Sequence, residues 1–128
     1  MKTTNNENKI TEFTDLTAWK EAHKLVLVIY KVTKNFPEDE KFGLTNQLRR
    51  AAVSITSCIA EGFSRNSSKE KCQFYKMSLG SLMEIQNQII IARDIDYIAE
   101  PKFKAVYNQT IVVRRLLYGL IKSARSKA

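Results

Sequence analysis

The sequence predicts an all-α domain, an antiparallel four-helix bundle with up-down-up-down order. Three observations carry that expectation. Apolar residues recur with a helical period in four separate segments, the breaks between them hold helix-ending and helix-starting residues, and no segment alternates with period two for long. Asn-Gly and Asp-Gly pairs, the strongest short hairpin signals, do not occur. At 128 residues and 44% hydrophobic, the chain supports one domain with one core.

The first helix is expected from Thr17 to Asn35. Phe36-Pro37 ends it, because the proline ring crowds the preceding residue out of helical conformation. At 100° per residue, Ala18, Ala22, Leu25, Ile29, Val32 and Phe36 share one face. The second helix, Gly43 to Phe63, has a stripe of Leu44, Leu48, Ala51, Ile55, Ile59 and Gly62. Gly62 to Ser68 supplies a turn, and Ser67-Ser68-Lys69-Glu70 has the form of a capping box. The third helix then runs from Ser68 to Arg93. Glu100-Pro101 opens the fourth, with proline in the first turn, where its missing N–H costs nothing. That helix continues to Arg125 with Val106, Val113, Leu117, Leu120 and Ala124 inward. Residues 1–12, polar and Asn-rich, are expected to be disordered, which leaves 13–128 as the bundle domain.

The third helix is more apolar than a surface helix needs. Its expected core face is Phe74, Met77, Leu82, Ile85, Ile89 and Ala92, and beside it lie Cys72, Tyr75, Leu79, Met83 and Ile90. Together they cover roughly 200° of the circumference, against a stripe of a little over 100° for an ordinary surface helix. Either this helix is buried unusually deeply within the monomer, or the second group is a subunit interface, since monomers seldom expose so much contiguous apolar surface. The homo-oligomer, with Cys72, Tyr75, Leu79, Met83 and Ile90 in contact, is the expectation.

The net charge of +8 is unevenly spread. Residues 101–128 hold seven basic side chains and no acidic one. Lys20, Lys24, Lys31 and Lys34 fall opposite the core of the first helix, and Lys104, Arg115 and Lys122 align on the fourth, with Arg114, Arg125, Tyr107 and Tyr118 adjoining. First and last helices are neighbours in an up-down bundle, so the two surfaces can merge. A merged face suits phosphate contacts, with tyrosines for stacking on unpaired bases. Simple solvation of outer faces covers the first helix well and the acid-free fourth less well. A protein partner, met through a structural adaptor role, remains the alternative.

Arg50, Ser54, Ser57 and Glu61 form a polar line on the second helix, and Ser81, Glu84 and Gln88 border the apolar face of the third. The residues Arg50, Ser54, Glu61, Ser81 and Glu84 are expected to make an interhelical network, with Arg50 level with Glu84. Glu61 and Glu84 should lie several turns apart, too far to share one bond as acid and base. No phosphate-cradling glycine loop occurs, and His23 has no nucleophile near it in sequence. No catalytic residue, cofactor or metal is expected, since two cysteines and one histidine make too few zinc ligands. The apolar runs are far short of the roughly 20 residues of a membrane span, and Met1 to Glu12 lacks a signal-peptide core, so a cytoplasmic location is expected.

The run Phe42-Gly43-Leu44-Thr45-Asn46-Gln47-Leu48-Arg49-Arg50-Ala51-Ala52-Val53-Ser54-Ile55 is followed by Ile59-Ala60-Glu61-Gly62 and Arg65. With Gly80-Ser81-Leu82, Glu84 and the opening Phe13-x-Asp15-Leu16-x-Ala18-Trp19, it resembles the bacterial four-helix-bundle family named for proteins encoded in intervening sequences of 23S ribosomal RNA genes. The resemblance spans residues 13–122 and implies a non-enzymatic homopentamer. A related bundle, the accessory variability protein of diversity-generating retroelements, is a basic pentamer that associates with a reverse transcriptase and nucleic acid. By resemblance, the apolar face of the third helix becomes a pentamer interface and the basic surface a nucleic-acid contact. Thr56 and Cys58 stand where the family usually has proline and asparagine. Without proline the second helix should be straighter there, and without asparagine its polar line loses a member.

Overall fold

The structure, a computed structural model, describes residues 9–127. Residues 1–8 of the expected disordered segment lie outside the described residues. A 3-10 turn at Phe13–Asp15 precedes α1 (Thr17–Thr33), and a second at Glu38–Glu40 precedes α2 (Leu44–Ser64). α3 spans Ser68–Asp94 and α4 spans Glu100–Ser126. Among the described residues there is no strand.

Local chemistry accounts for the boundaries. Asp15 Oδ2 accepts from the backbone N–H groups of Thr11 and Glu12 at 3.1 and 3.0 Å, and these bonds hold its carboxyl below the usual range. Before α2, Gly43 offers no side chain, so Glu40 reaches forward and accepts from Leu44 N–H at 3.0 Å. Its other oxygen accepts from Tyr97 Oη at 2.7 Å. At the start of α3, Ser67 Oγ accepts from Glu70 N–H at 3.1 Å and donates to the Glu70 carboxylate at 3.3 Å. The capping box is therefore half formed, with the glutamate turned to the hydroxyl. Lys71 covers the C-terminus of α2, donating to the carbonyls of Phe63 (2.7 Å) and Gly62 (3.3 Å), where positive charge is favoured. Burial and the nearby charge of Lys127 push the Lys71 ammonium pKa down. α3 ends in a Schellman turn: Tyr97 N–H donates to Ala92 O and Asp96 N–H to Arg93 O, with Asp96 left-handed at φ 67°.

α1 and α3 each pack on both α2 and α4. The core gathers Leu25 and Ile29 of α1, Leu48, Ile55 and Ile59 of α2, Leu82, Ile85 and Ile89 of α3, and Val106, Val113 and Leu117 of α4. Each such side chain contributes roughly 1.5–3 kcal/mol by leaving water. Polar side chains fix how the helices align. Going up α3, Ser78 Oγ donates to Ile55 O (2.7 Å), Ser81 Oγ to Ser54 Oγ (3.0 Å) and Gln88 Nε2 to Gln47 Oε1 (3.2 Å), partners met in descending order along α2. Gln86 Nε2 donates to Thr110 Oγ1 of α4 at 3.0 Å.

The buried faces of α1, α2 and α4 follow their predicted stripes closely, but that of α3 is rotated. Met77, expected inside, is 51% exposed, and Phe74 is half-buried. Cys72 and Tyr75 are buried instead, packed with Ile121 and Ala124 of α4, and Cys72 Sγ donates to Ile121 O at 3.7 Å. Two neighbours, α2 and α4, pack on α3, and Ser78 and Gln86 take interior positions where their side chains find hydrogen-bond partners, as Gln88 does through its Nε2. An apolar tally overlooks polar residues of that kind. The expected interface group is thus divided. Cys72 and Tyr75 are covered by their own chain, Leu79 and Ile90 are half-buried against the core, and Met83 is exposed.

Candidate functional site

On the outer side of α1, Lys20, Lys24, Lys31 and Lys34 are all exposed, and Lys24 pairs with Glu21 at 2.9 Å. On α4, Lys104, Arg115, Lys122 and Arg125 are exposed and Arg114 is half-buried. The two helices are joined where Gln109 Nε2 donates to Glu21 O (2.8 Å) and Oε1 (3.1 Å). Lys24 and then Gln109 hold the Glu21 carboxyl below its usual range. Of the tyrosines, Tyr118 is exposed, whereas Tyr107 is half-buried with its ring 5.4 Å from that of Phe103.

Arg125 also has neighbours on α3. It lines a cavity of about 440 Å³ with Ser68, Lys69, Cys72, Gln73 and Lys76 of α3. Lys69 and Lys76 were not legible as part of a basic surface, although their seven-residue spacing placed them on one face. They extend the cationic character of α4 towards α3.

Of the expected network, Arg50, Ser54, Ser81 and Glu84 share one groove and Glu61 lies outside it. Ser54 and Ser81 are bonded to each other as described above. Arg50 and Glu84 line the same groove of about 430 Å³ between α2 and α3 as Ser54 and Ser81, together with Phe42, Gln47 and Gln88. They form no ion pair with each other, so the expected Arg50–Glu84 contact is not made. Glu61 stands apart and pairs with Arg65, whose guanidinium lies 4.9 Å over the Phe74 ring. The reason is position: Glu61 faces solvent in the last turn of α2, beyond the reach of Ser81 and Glu84. In the groove, Gln88 Oε1 is buried and has no hydrogen-bond partner.

One further cation was missed. Arg49 Nε donates to Thr33 Oγ1 at 2.9 Å, and the guanidinium sits 4.6 Å over the Tyr30 ring. Its residue type and place beside Arg50 gave no sign of this inward role.

His23 is exposed and stacks on Trp19 at 4.8 Å. Cys58 and Cys72 are free thiols, both buried. Among the described residues no group of His, Cys, Asp or Glu is placed to hold a metal ion, and no helix is long and apolar enough to cross a membrane. α2 runs unbroken through Thr56, whose hydroxyl donates to Val53 O at 2.9 Å, and Cys58 Sγ lies 3.9 Å from Ser54 Oγ.

A search of curated proteins finds no match. Among solved structures, a protein of unknown function from the S23 ribosomal protein family of Bacteroides thetaiotaomicron is similar, with a TM-score of 0.74 and 20% identity. The similarity covers 83% of this chain and 99% of that one, and at that identity it speaks for the fold. A sequence model of the family described as 23S rRNA-intervening sequence protein matches residues 14–119. The match takes in the Arg50–Ser54 run, Ile59–Gly62 and Glu84, and the chain belongs to the 23S rRNA-intervening sequence protein family.

Proposed function

We propose that this chain is a non-enzymatic, homo-oligomeric binding protein of the cytoplasm that contacts RNA or DNA phosphate through α1 and α4. The helices run up-down-up-down, which the opposed order of partners along α2 and α3 supports. The fivefold state follows from the family resemblance. One observation carries the phosphate reading: Lys104, Arg115 and Lys122 are exposed on an α4 that has no acidic side chain after Glu100. None of the three forms an ion pair within the described residues. Unneutralised cations on one outer face release counterions from a nucleic-acid backbone, and that release drives binding.

The test is a salt titration of binding to a 30-nucleotide single-stranded RNA and to DNA of the same length. Replacing Lys104, Arg115 and Lys122 together by alanine should flatten the plot of log affinity against log salt by about two to three units. Binding that ignores both salt and the triple substitution would overturn the phosphate reading. In that case a nuclease-resistant pull-down returning one dominant protein would assign the face to a structural adaptor.

A further inference from the structure

We infer that the α2–α3 face is where one copy of this chain docks on the next. This rests on the homo-oligomeric reading above and replaces the contact group expected from sequence, of which Cys72 and Tyr75 are covered from within. Met77, Glu84 and Ile91 follow one another at seven-residue intervals along α3, so they fall within about 40° of one another. Met77 is 51% exposed, Ile91 42% and Ile95, one turn further, 47%. At the end of the groove, Phe42 is 87% exposed, the most exposed large apolar side chain among the described residues. Gly80 lies beside this stripe, and a Cβ built on it would meet nothing within 4 Å, which leaves room for a close approach.

The groove beside the stripe says what kind of partner fits. Arg50 and Glu84 line it with opposite charges and no ion pair, and Gln88, only 8% exposed, holds a carbonyl oxygen without a donor. A buried acceptor left unpaired is unfavourable, so a donor from outside is favoured. A polyanion would be repelled by Glu84 and would lay phosphate over Met77 and Ile91. A uniformly acidic or basic protein matches only one of the two charges. A second copy brings both signs, guanidinium and amide donors for Gln88 Oε1, and apolar side chains for the stripe. Arg50 of one copy then faces Glu84 of the next. Because α1 and α4 pack together on the far side of the bundle, such docking leaves their cations free for phosphate.

The experiment is the solution mass of the nuclease-treated full chain by analytical ultracentrifugation across a dilution series, with helicity followed alongside. Wild type should be a defined oligomer. The double substitution Met77→Lys, Ile91→Lys should shift it to monomer. Arg50→Glu and Glu84→Arg should each weaken assembly about tenfold or more, and the combined reversal should recover it. Met83→Lys, about 80–120° round α3 from the stripe and towards α4, should leave the mass unchanged. Phe42→Ser, at an exposed position just before α2, should also weaken assembly and guards against misfolding of the helix variants. A wild-type oligomer indifferent to these changes, or dissociated by Met83→Lys alone, overturns this face while sparing the oligomer. A wild-type monomer at every concentration overturns the homo-oligomeric reading itself.

Discussion

Replacing Gly62 by alanine should destabilise the bundle, although alanine is the better helix former. No glycine among the described residues has a positive φ, so Gly62 is not there for backbone freedom. It is there for space. A Cβ built on it would meet Tyr75 Cε1 at 2.7 Å, Tyr75 Cδ1 at 3.0 Å and Phe74 Cβ at 3.1 Å, and Tyr75 is only 3% exposed. Forcing that ring aside costs about 1–3 kcal/mol, while the gain in helix propensity is about 1 kcal/mol. The net loss of about 1 kcal/mol lowers Tm by roughly 3–5 °C for a chain of this size. Gly119→Ala is the matched control, since nothing lies within 4 Å of its Cβ. With the propensity gain unopposed, it should raise Tm by a similar amount. Thermal and urea unfolding followed by circular dichroism at one fixed protein concentration measure both. If Gly62→Ala raised Tm as Gly119→Ala does, the close-approach account of the α2–α3 turn would be wrong.

Thr110→Val should cost about 1–3 kcal/mol, because it strips the buried Gln86 amide of its partner. Adding Gln86→Leu should cost less than the sum of the two single changes, and a urea double-mutant cycle reads the coupling. The Glu40 carboxyl is held below its ordinary value of 4.5, first by Leu44 N–H and then by the Tyr97 hydroxyl. Its contribution is therefore complete above that value and is lost as pH falls through the lower folded one. The stability gap between wild type and Glu40→Gln should close on acidification from about pH 6 to about pH 3, and a gap that stays constant would count against the bond. Thr56→Pro, the residue usual in the family, should cost about 3 kcal/mol here by deleting a ladder bond in an unbroken α2. An unchanged urea midpoint would show that α2 already tolerates a kink there.

Most of the fold was legible because helix stops and starts are local chemistry. Pro37, Ser67 and Pro101 act within a turn of themselves, and Leu25, Ile29, Ile55 and Val113 repeat with the helical period. The rotation of α3 was not legible. Its interior includes Ser78, Gln86 and Gln88, whose burial depends on partners 23, 24 and 41 residues away. No window along α3 contains those partners. Ser54 and Ser81, both members of the expected network, are bonded to each other because the short turn between Gly62 and Ser68 sets how α2 and α3 align. Arg50 and Glu84 were expected level with each other by counting back from that turn, but counting gives level and not reach. Arg49 was overlooked because its partners, Tyr30 and Thr33, lie on α1.

The polar bonds along α3 constrain the length of that helix as much as its composition. One residue inserted between Ser81 and Gln86 would turn everything beyond it by about 100° and carry both glutamines off their partners. An insertion of three or four residues would restore direction but raise them by about one helical pitch, leaving Gln47 and Thr110 a turn behind. Insertions and deletions should therefore be tolerated in the Asn66 and Asp96 connections and rejected between Ser78 and Gln88. A scan of single-residue insertions, read out by soluble yield, would map that boundary.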